Sequence, residues 1–476
     1  MSVRHQIQVT PTTATTRVSR RVAMGRLAAG GAAMALAACA SPSAEPGADQ
    51  RLKGTAATIR YLHWWPSITR FGAFDAWKVA FKEEWPNADV AMEEISLGDF
   101  NTKFQVALSS GTPPDVVLQN SHAQTRWYDA GAHLDMGPLL TRDKINLRRD
   151  YALMGTEVWC EKTYALPVHA DPNAVFYNKT LLERAGIKDP WADGKGNWSI
   201  DDMVAMAKRV SRDLDGDGGL DQGGIWMGYG RTSFVGQIAW TLGGDVADFQ
   251  QMRYTLESPI SLRAHQLFSD WVVKDRIALT DADATRLAGG AAGRDAFSAG
   301  KVAFRMRSVP DVATYRDTIK GEFEWDILPF PGQDAQRPGV PLVAGDPNSV
   351  VKESKQPELA YQFAKLIATG RGQDIVAQRL SLPALKAKQD LYLKQYTPPA
   401  HVKVFQDVYT KPYGIHFRHH FTNDAWAIYA RTMNQILAGE APLAGALQEA
   451  NRLMNETIKY GDCQPYKGTT HPIRPR

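Results

Sequence analysis

The residues best suited to chemistry in this 476-residue chain are carboxylates, arginines, histidines and tryptophans gathered at a few points. Asp213, Asp215, Asp217 and Asp221 stand in D-L-D-G-D-G-G-L-D, at positions 1, 3, 5 and 9 of a calcium loop with Gly218 at the sixth. The twelfth position is Gly224 rather than Glu, so the stretch reads either as a structural calcium site or as an acidic turn. Arg305 and Arg307 alternate along a strand-like run and would share one face. Facing a cleft, they would grip an acidic or phosphorylated solute through bidentate contacts; otherwise they are a salt-bridged pair. His416, His419 and His420 have metal-compatible spacing but lie beside Pro412 and Gly414, so a surface or cleft cluster is the better reading. The chain has no H-E-x-x-H, no G-x-S-x-G and no P-loop, since Val302 follows Gly300-Lys301. Paired carboxylates acting on glycosides are the enzyme class that leaves open.

The elements that must position these groups alternate. Thr58–Trp64 reads as a strand, and Phe74, Trp77, Phe81 and Trp85 follow as one apolar stripe of a helix stopped by Pro86-Asn87. Val90–Ile95 is a second strand, Phe100, Phe104 and Leu108 a second helical stripe, and Asp115–Leu118 a third strand. This β-α-β-α-β order predicts a mostly parallel sheet covered by helices, with ligands at the carboxyl ends of its strands. Those ends carry His63-Trp64-Trp65 and Gln119-Asn120-Ser121-His122. Ser199 with Asp202 resembles a capping box opening a helix with Met203, Met206 and Val210 inward. Further stripes are Leu359, Phe363 and Leu366; Trp426, Tyr429, Met433 and Ile436; and Leu443, Leu447, Ala450 and Met454.

The N-terminus is a different kind of sequence. Arg20-Arg21 is a twin-arginine pair, and the uncharged run Leu27–Ala38 ends at Leu36-Ala37-Ala38-Cys39, which resembles a lipobox with Cys39 as the lipidated residue. The run is too short to span a bilayer. Residues 1–39 are therefore expected to be an export and lipoprotein signal, and residues 40–54 a flexible tether. Five arginines and no acid fall in residues 1–38, so the chain's net charge of +4 becomes about −1 without them. No basic face for nucleic acid is indicated. Cys160 and Cys463 remain, able to form one disulfide or stand as two thiols.

Eight segments in order carry a family resemblance: F-K-E-E-W-P-N-A-D-V (81–90), F-Q-V-A-L-S-S-G-T-P-P-D-V-V (104–117), Y-A-L-P (164–167), V-F-Y-N-K-T-L-L-E-R-A-G-I (175–187), F-S-A-G-K-V-A-F (297–304), W-D-I-L-P-F-P-G (325–332), P-E-L-A-Y-Q-F-A-K-L-I (357–367) and A-L-Q-E-A-N-R-L-M-N (446–455). Together they resemble the family 1 extracellular solute-binding proteins of ABC importers, the sugar-binding group related to maltose-binding protein. The resemblance implies a periplasmic-binding-protein type II-like fold with two α/β lobes, expected as residues 55–167 with 325–380 and residues 168–324 with 381–476. The chain would cross between them near Pro167–Asp171, Phe323–Trp325 and Arg379–Pro383, and the ligand would sit in the interlobe cleft. By the same resemblance the ligand contacts would be Trp64, Trp65 and Asn120 on strand-end loops, Asp171 as a hinge carboxylate with Asn173 beside it, Tyr229, and Trp426 as an aromatic platform. Arg307, in R-M-R-S-V-P, stands where relatives place aromatics, which argues against plain maltodextrin specificity. The expectation is a non-enzymatic, monomeric, lipid-anchored protein on the outer face of a membrane. It would need no cofactor, beyond a possible structural calcium, and would hand a sugar or oligosaccharide to an ABC permease. A polyol or glycerol-phosphate solute is the alternative.

Overall fold

The computed structural model describes residues 52–458 apart from 120–124, 153–156, 229–231, 249–250, 252, 291–293, 337, 397–398 and 411–422. Cys39, Asn120, Tyr229, Cys463 and the histidines 416, 419 and 420 thus lie outside the described residues. Among the described residues no helix is long and apolar enough to cross a membrane.

Two sheets organise the chain. Their strands are β1 (Ala57–His63), β2 (Ala88–Glu94), β3 (Val116–Leu118), β4 (Leu166–Pro167), β5 (Asp171–Asn178), β6 (Gly223–Trp226), β7 (Val302–Ser308), β8 (Trp325–Leu328), β9 (Val343–Ala344) and β10 (Pro347–Val350). The first sheet runs β2-β1-β3-β10-β4, parallel through β2, β1 and β3 and antiparallel at β10. The second runs β8-β5-β7-β6, with β9 pairing β5 beyond that path.

Each sheet is covered on both faces, because alternate side chains of a strand point to opposite sides. In β1, Ile59 and Tyr61 meet Trp77 and Phe81 of helix α1 (Ala73–Glu84), while Leu62 meets Phe100 and Phe104 of helix α2 (Leu97–Ser109). In β5, Val175 and Tyr177 join Met203, Val235 and Tyr429, whereas Ala174 and Phe176 join Phe297, Val312, Tyr315 and Phe405. The capping box is present: Ser199 accepts from the Asp202 backbone, and Asp202 accepts from the Ser199 N–H. In the helix it opens, α3 (Ile200–Val210), Met203 and Val210 are buried and Met206 is half-buried.

The expected second crossing at Phe323–Trp325 requires correction. Trp325–Leu328 pairs with Val175–Asn178, and Ile327, Leu328 and Leu342 lie in the cores around β5. The W-D-I-L run signals a strand without signalling which sheet receives it. The chain returns to the first sheet only between β9 and β10. The chain passes from the first sheet to the second at residues 168–170, between β4 and β5, and makes its third passage at residues 380–385.

One buried side chain ties these passages together. Gln373, fully buried in helix α5 (Gly370–Arg379), donates from Nε2 to the Val168 carbonyl (2.8 Å) and the Ile367 carbonyl (2.9 Å), and its Oε1 accepts from Leu385 N–H (2.9 Å). Beside it, Gly372 allows helix α5 to press on the end of helix α4 (Pro357–Ala368), since a Cβ there would lie 1.8 Å from the Leu366 carbonyl oxygen. Replacing Gln373 by Leu leaves two buried carbonyls and one part-buried N–H without this partner, each buried group costing about 1–3 kcal/mol. The expected result is a fall in unfolding free energy of at least about 2 kcal/mol, measured by urea titration; an unchanged midpoint would show that Gln373 does not fasten the crossings.

Candidate functional site

The carboxyl ends of β1 and β3, the start of β5 and the end of β7 meet at the crossing segments. His63 closes β1 and the chain continues into Trp64-Trp65, where Pro66 opens a short helix (Pro66–Arg70). The two tryptophans diverge. Trp65 is buried in the first lobe's core, its ring 4.5 Å from that of His169 in the first crossing. Trp64 is half-buried at the edge of two core clusters, and its enclosed Nε1 has no hydrogen-bond partner. Of the two, Trp64 is thus the one with a face left to offer. At the end of β3, Gln119 donates its N–H to the Pro347 carbonyl (2.8 Å) and its Nε2 lies 2.7 Å from His133 Nε2.

Asp171 begins β5 immediately after the first crossing, with Ala344 of β9 as its register partner. Ser308 hydrogen-bonds its carboxyl group, whereas Oδ1 is enclosed without a hydrogen-bond partner. Burial pushes the carboxyl up to about 7; Asp311 reinforces that shift and Arg307 opposes it. The Tyr409 hydroxyl, on helix α6 (Val404–Thr410), is buried close to both Asp171 and Glu157.

Arg307 is engaged rather than free. Its Nε and Nη2 donate to the two oxygens of Asp311 at 2.7 and 3.1 Å, while 42% of its side chain stays accessible. Arg305 on the same strand is buried, lies 3.2 Å over the Trp226 ring and is 4.0 Å from Asp295. Of the two expectations for these arginines, the structure shows the salt-bridged one. Asn173 is also occupied internally: it is 6% exposed, its N–H donates to the Leu342 carbonyl (2.8 Å), and its side chain meets Gln237 (3.4 Å). Trp426 is half-buried in helix α7 (Asn423–Leu437), packed against the core that holds Tyr429 and Met433. An ion pair between Arg70 and Asp317 spans the two lobes on the surface.

Three groups named here escaped the sequence: Asp311, Ser308 and Tyr409. Only Asp311 left a trace, as an acid four residues after Arg307.

Away from this junction, Asp213, Asp215 and Asp221 bring one carboxylate oxygen each within 4.8 Å of one another, and Asp217 is not of that group. The Asp217 carboxylate instead accepts from Gly219 N–H (2.6 Å). Arg276 and Arg286 stand 3.8 Å from Asp213 and Asp221, so the loop carries its own counter-charge. Cys160 is disulfide-bonded, and both other cysteines of the chain lie outside the described residues.

Two α/β lobes joined by three crossings define a solute-binding architecture, and the comparisons agree. Residues 65–374 match the family of bacterial extracellular solute-binding proteins, and the chain belongs to it. It is 31% identical over 140 residues to a binding protein of Brucella abortus, covering 29% of this chain and 32% of that one. It is 24% identical over 305 residues to a multiple sugar-binding protein of Streptococcus mutans, covering 61% of this chain and 66% of that one. The match therefore spans less than two thirds of each of these relatives. Among solved structures, an ABC substrate-binding protein of Listeria monocytogenes in complex with cycloalternan superposes with a TM-score of 0.72 at 20% identity, over 85% of this chain and 99% of that one. The GacH receptor of Streptomyces glaucescens, solved unliganded and with acarbose, gives 0.69 at 20% identity over 85% and 100%. The fold is of the type II periplasmic-binding kind.

The raised Asp171 carboxyl has a signed consequence. It takes up a proton more readily folded than unfolded, so its stabilising contribution is complete below about pH 4 and is lost as pH rises through about 7. Burial acts oppositely on His63, His133, His169 and His265, lowered to about 4, 3, 3 and 4, which destabilises the fold as pH falls below about 6.5. Subtracting one variant from the other isolates Asp171. Asp171→Asn should gain stability relative to wild type between pH 4 and 7 in paired thermal scans. Parallel curves would show that the carboxyl ionises normally.

Proposed function

We propose that this protein captures a sugar or oligosaccharide between its lobes and delivers it to the membrane permease of an ABC importer. The observation that carries the reading is a pair of α/β lobes with Asp171 directly after the first crossing and Trp64 next to Trp65, which packs on His169 of that crossing. A half-buried aromatic face and a hydrogen-bonding carboxyl are what a ring with polar edges requires. The family, and relatives described as sugar-binding or solved with oligosaccharides, support it. The engaged state of Arg307 counts against the phosphorylated-solute alternative.

The mechanism follows from the topology. Contacts made by both lobes to one solute exist only in the closed form, so solute shifts the population toward it. Trp64 comes from the first lobe, and Asp171 and Trp426 from the second. Asn120 and Tyr229 complete the proposed contact set. Export by the twin-arginine leader, anchoring through lipid on Cys39 and a monomeric state belong to the same proposal.

The test is a thermal-shift screen of the protein from residue 40 onward against monosaccharides, oligosaccharides, polyols and glycerol phosphates. A ligand at 100 times its Kd adds about 2.7 kcal/mol. Asp171→Ala should weaken the best hit about 10- to 100-fold, the loss expected for one hydrogen bond to a charged group. A hit confined to glycerol phosphates would refute the sugar reading, and a hit recovered as cleaved product would make the protein an enzyme.

We also propose that Asp213, Asp215 and Asp221 hold a structural calcium ion, with Asp217 outside the ligand set. The ion would stiffen the loop ahead of β6 and take no part in solute capture. Millimolar calcium should raise the melting temperature of wild type and leave that of Asp213→Ala unchanged. Equal responses in chelator and calcium would dismiss the site.

A further inference from the structure

Resting on the sugar-capture reading, we infer that the solute carries a protonated amine, as an amino sugar does, seated against Asp171. The argument is one of charge and missing donors. The groups that face Asp171 come from three elements packed on it. The end of β7 and the turn after it supply Arg307, Ser308, Val309 and Asp311, helix α6 supplies Tyr409, and the helix Gln389–Gln395 supplies Tyr392. Glu157, just ahead of the short strand Val158–Trp159, lies near Tyr409. The one guanidinium among these described groups, Arg307, spends two of its N–H groups on both oxygens of Asp311, a bidentate match that largely cancels its charge locally. The Ser308 side chain and the Val309 N–H supply neutral hydrogen bonds to the Asp171 carboxyl, and Oδ1 is enclosed without a hydrogen-bond partner.

An enclosed carboxyl with one empty oxygen and a pre-empted neighbouring cation has two unmet needs, a donor and a positive charge. A sugar hydroxyl meets only the first. An ammonium meets both, and a hydrogen bond to a charged partner is roughly twice as strong as a neutral one. A uronic acid or sugar phosphate meets neither and adds like charge beside Asp171 and Asp311. The carboxyl near neutrality then becomes part of recognition, because binding the ammonium expels its proton to solvent.

The experiment is isothermal titration of the protein from residue 40 onward with four matched ligands: a glucosamine oligomer, its N-acetylated form, the neutral glucose oligomer and an oligomeric uronate. It is run in two buffers of different ionisation enthalpy. The amino oligomer should bind at least tenfold more tightly than the neutral one, releasing a proton, and N-acetylation should abolish the preference. Asp171→Asn should bring the affinity for the amino oligomer down to that for the neutral one. Asp311→Asn, which frees Arg307, should shift the order toward the uronate. Equal or tighter binding of the neutral or uronate oligomer by wild type, or a preference surviving in Asp171→Asn, overturns this inference and leaves sugar capture standing. Failure of every carbohydrate, charged or neutral, removes the sugar-capture reading and this inference with it.

Discussion

Three passages of chain between two lobes would be a loose joint unless something fixed their spacing, and the buried amide of Gln373 does so. A single planar group donates to a carbonyl of the first passage and to one at the end of helix α4, and accepts from an N–H of the third passage. Because the two carbonyls are buried, neither has water as a substitute, and the amide's geometry sets the separation of the passages. Around it the joint is further paired: Ala170 donates to the Leu382 carbonyl, His169 bridges Pro383, and Ala152 donates to the Ala384 carbonyl. The lobes can rotate only about what these bonds leave free.

Solute recognition sits on the same joint. Asp171 is the first residue of β5 after the crossing, and Trp65 packs on His169 within it, so the loop that carries Trp64 is braced against the passage itself. Recognition and closure thus share atoms. His169 is enclosed between Trp65 and Asp346, 3.6 Å from that carboxylate and without a hydrogen bond of its own. A neutral imidazole in that place connects two passages without adding a charge the interior would have to compensate.

Much of this was legible in the sequence, for identifiable reasons. The stripes of Phe74, Trp77 and Phe81 and of Tyr429, Met433 and Ile436 are buried because a helical period brings them to one face. The first crossing was expected from the family resemblance alone, since no local pattern around residues 168–170 marks a change of sheet. The second was misplaced: Trp325–Leu328 is a strand in either lobe's terms, and pairing with β5 is a long-range fact that local pattern does not encode. At the site, adjacency told that Trp64 and Trp65 must diverge, but not which would be buried. Arg307 pointed toward an anionic solute until Asp311, one helical turn on, was seen to take its guanidinium. Asn173 neighbours Asp171 in sequence, and its side chain meets Gln237 while its backbone N–H donates to Leu342, partners that only the folded chain brings to it. Tyr409 gave no sign, since its place depends on a helix folding back from far along the chain.

The strand order of the first sheet has a consequence for the growing chain. β10 lies between β3 and β4, so that sheet lacks an interior strand until Pro347–Val350 has been made. Before then β3 presents a bare edge of apolar residues, Val116 to Leu118, of the kind that invites wrong partners. The amino-terminal lobe therefore cannot be finished first, although its strands emerge first. Folding of both lobes is deferred to a late, shared event, and a nascent chain of this protein depends on protection for most of its own synthesis.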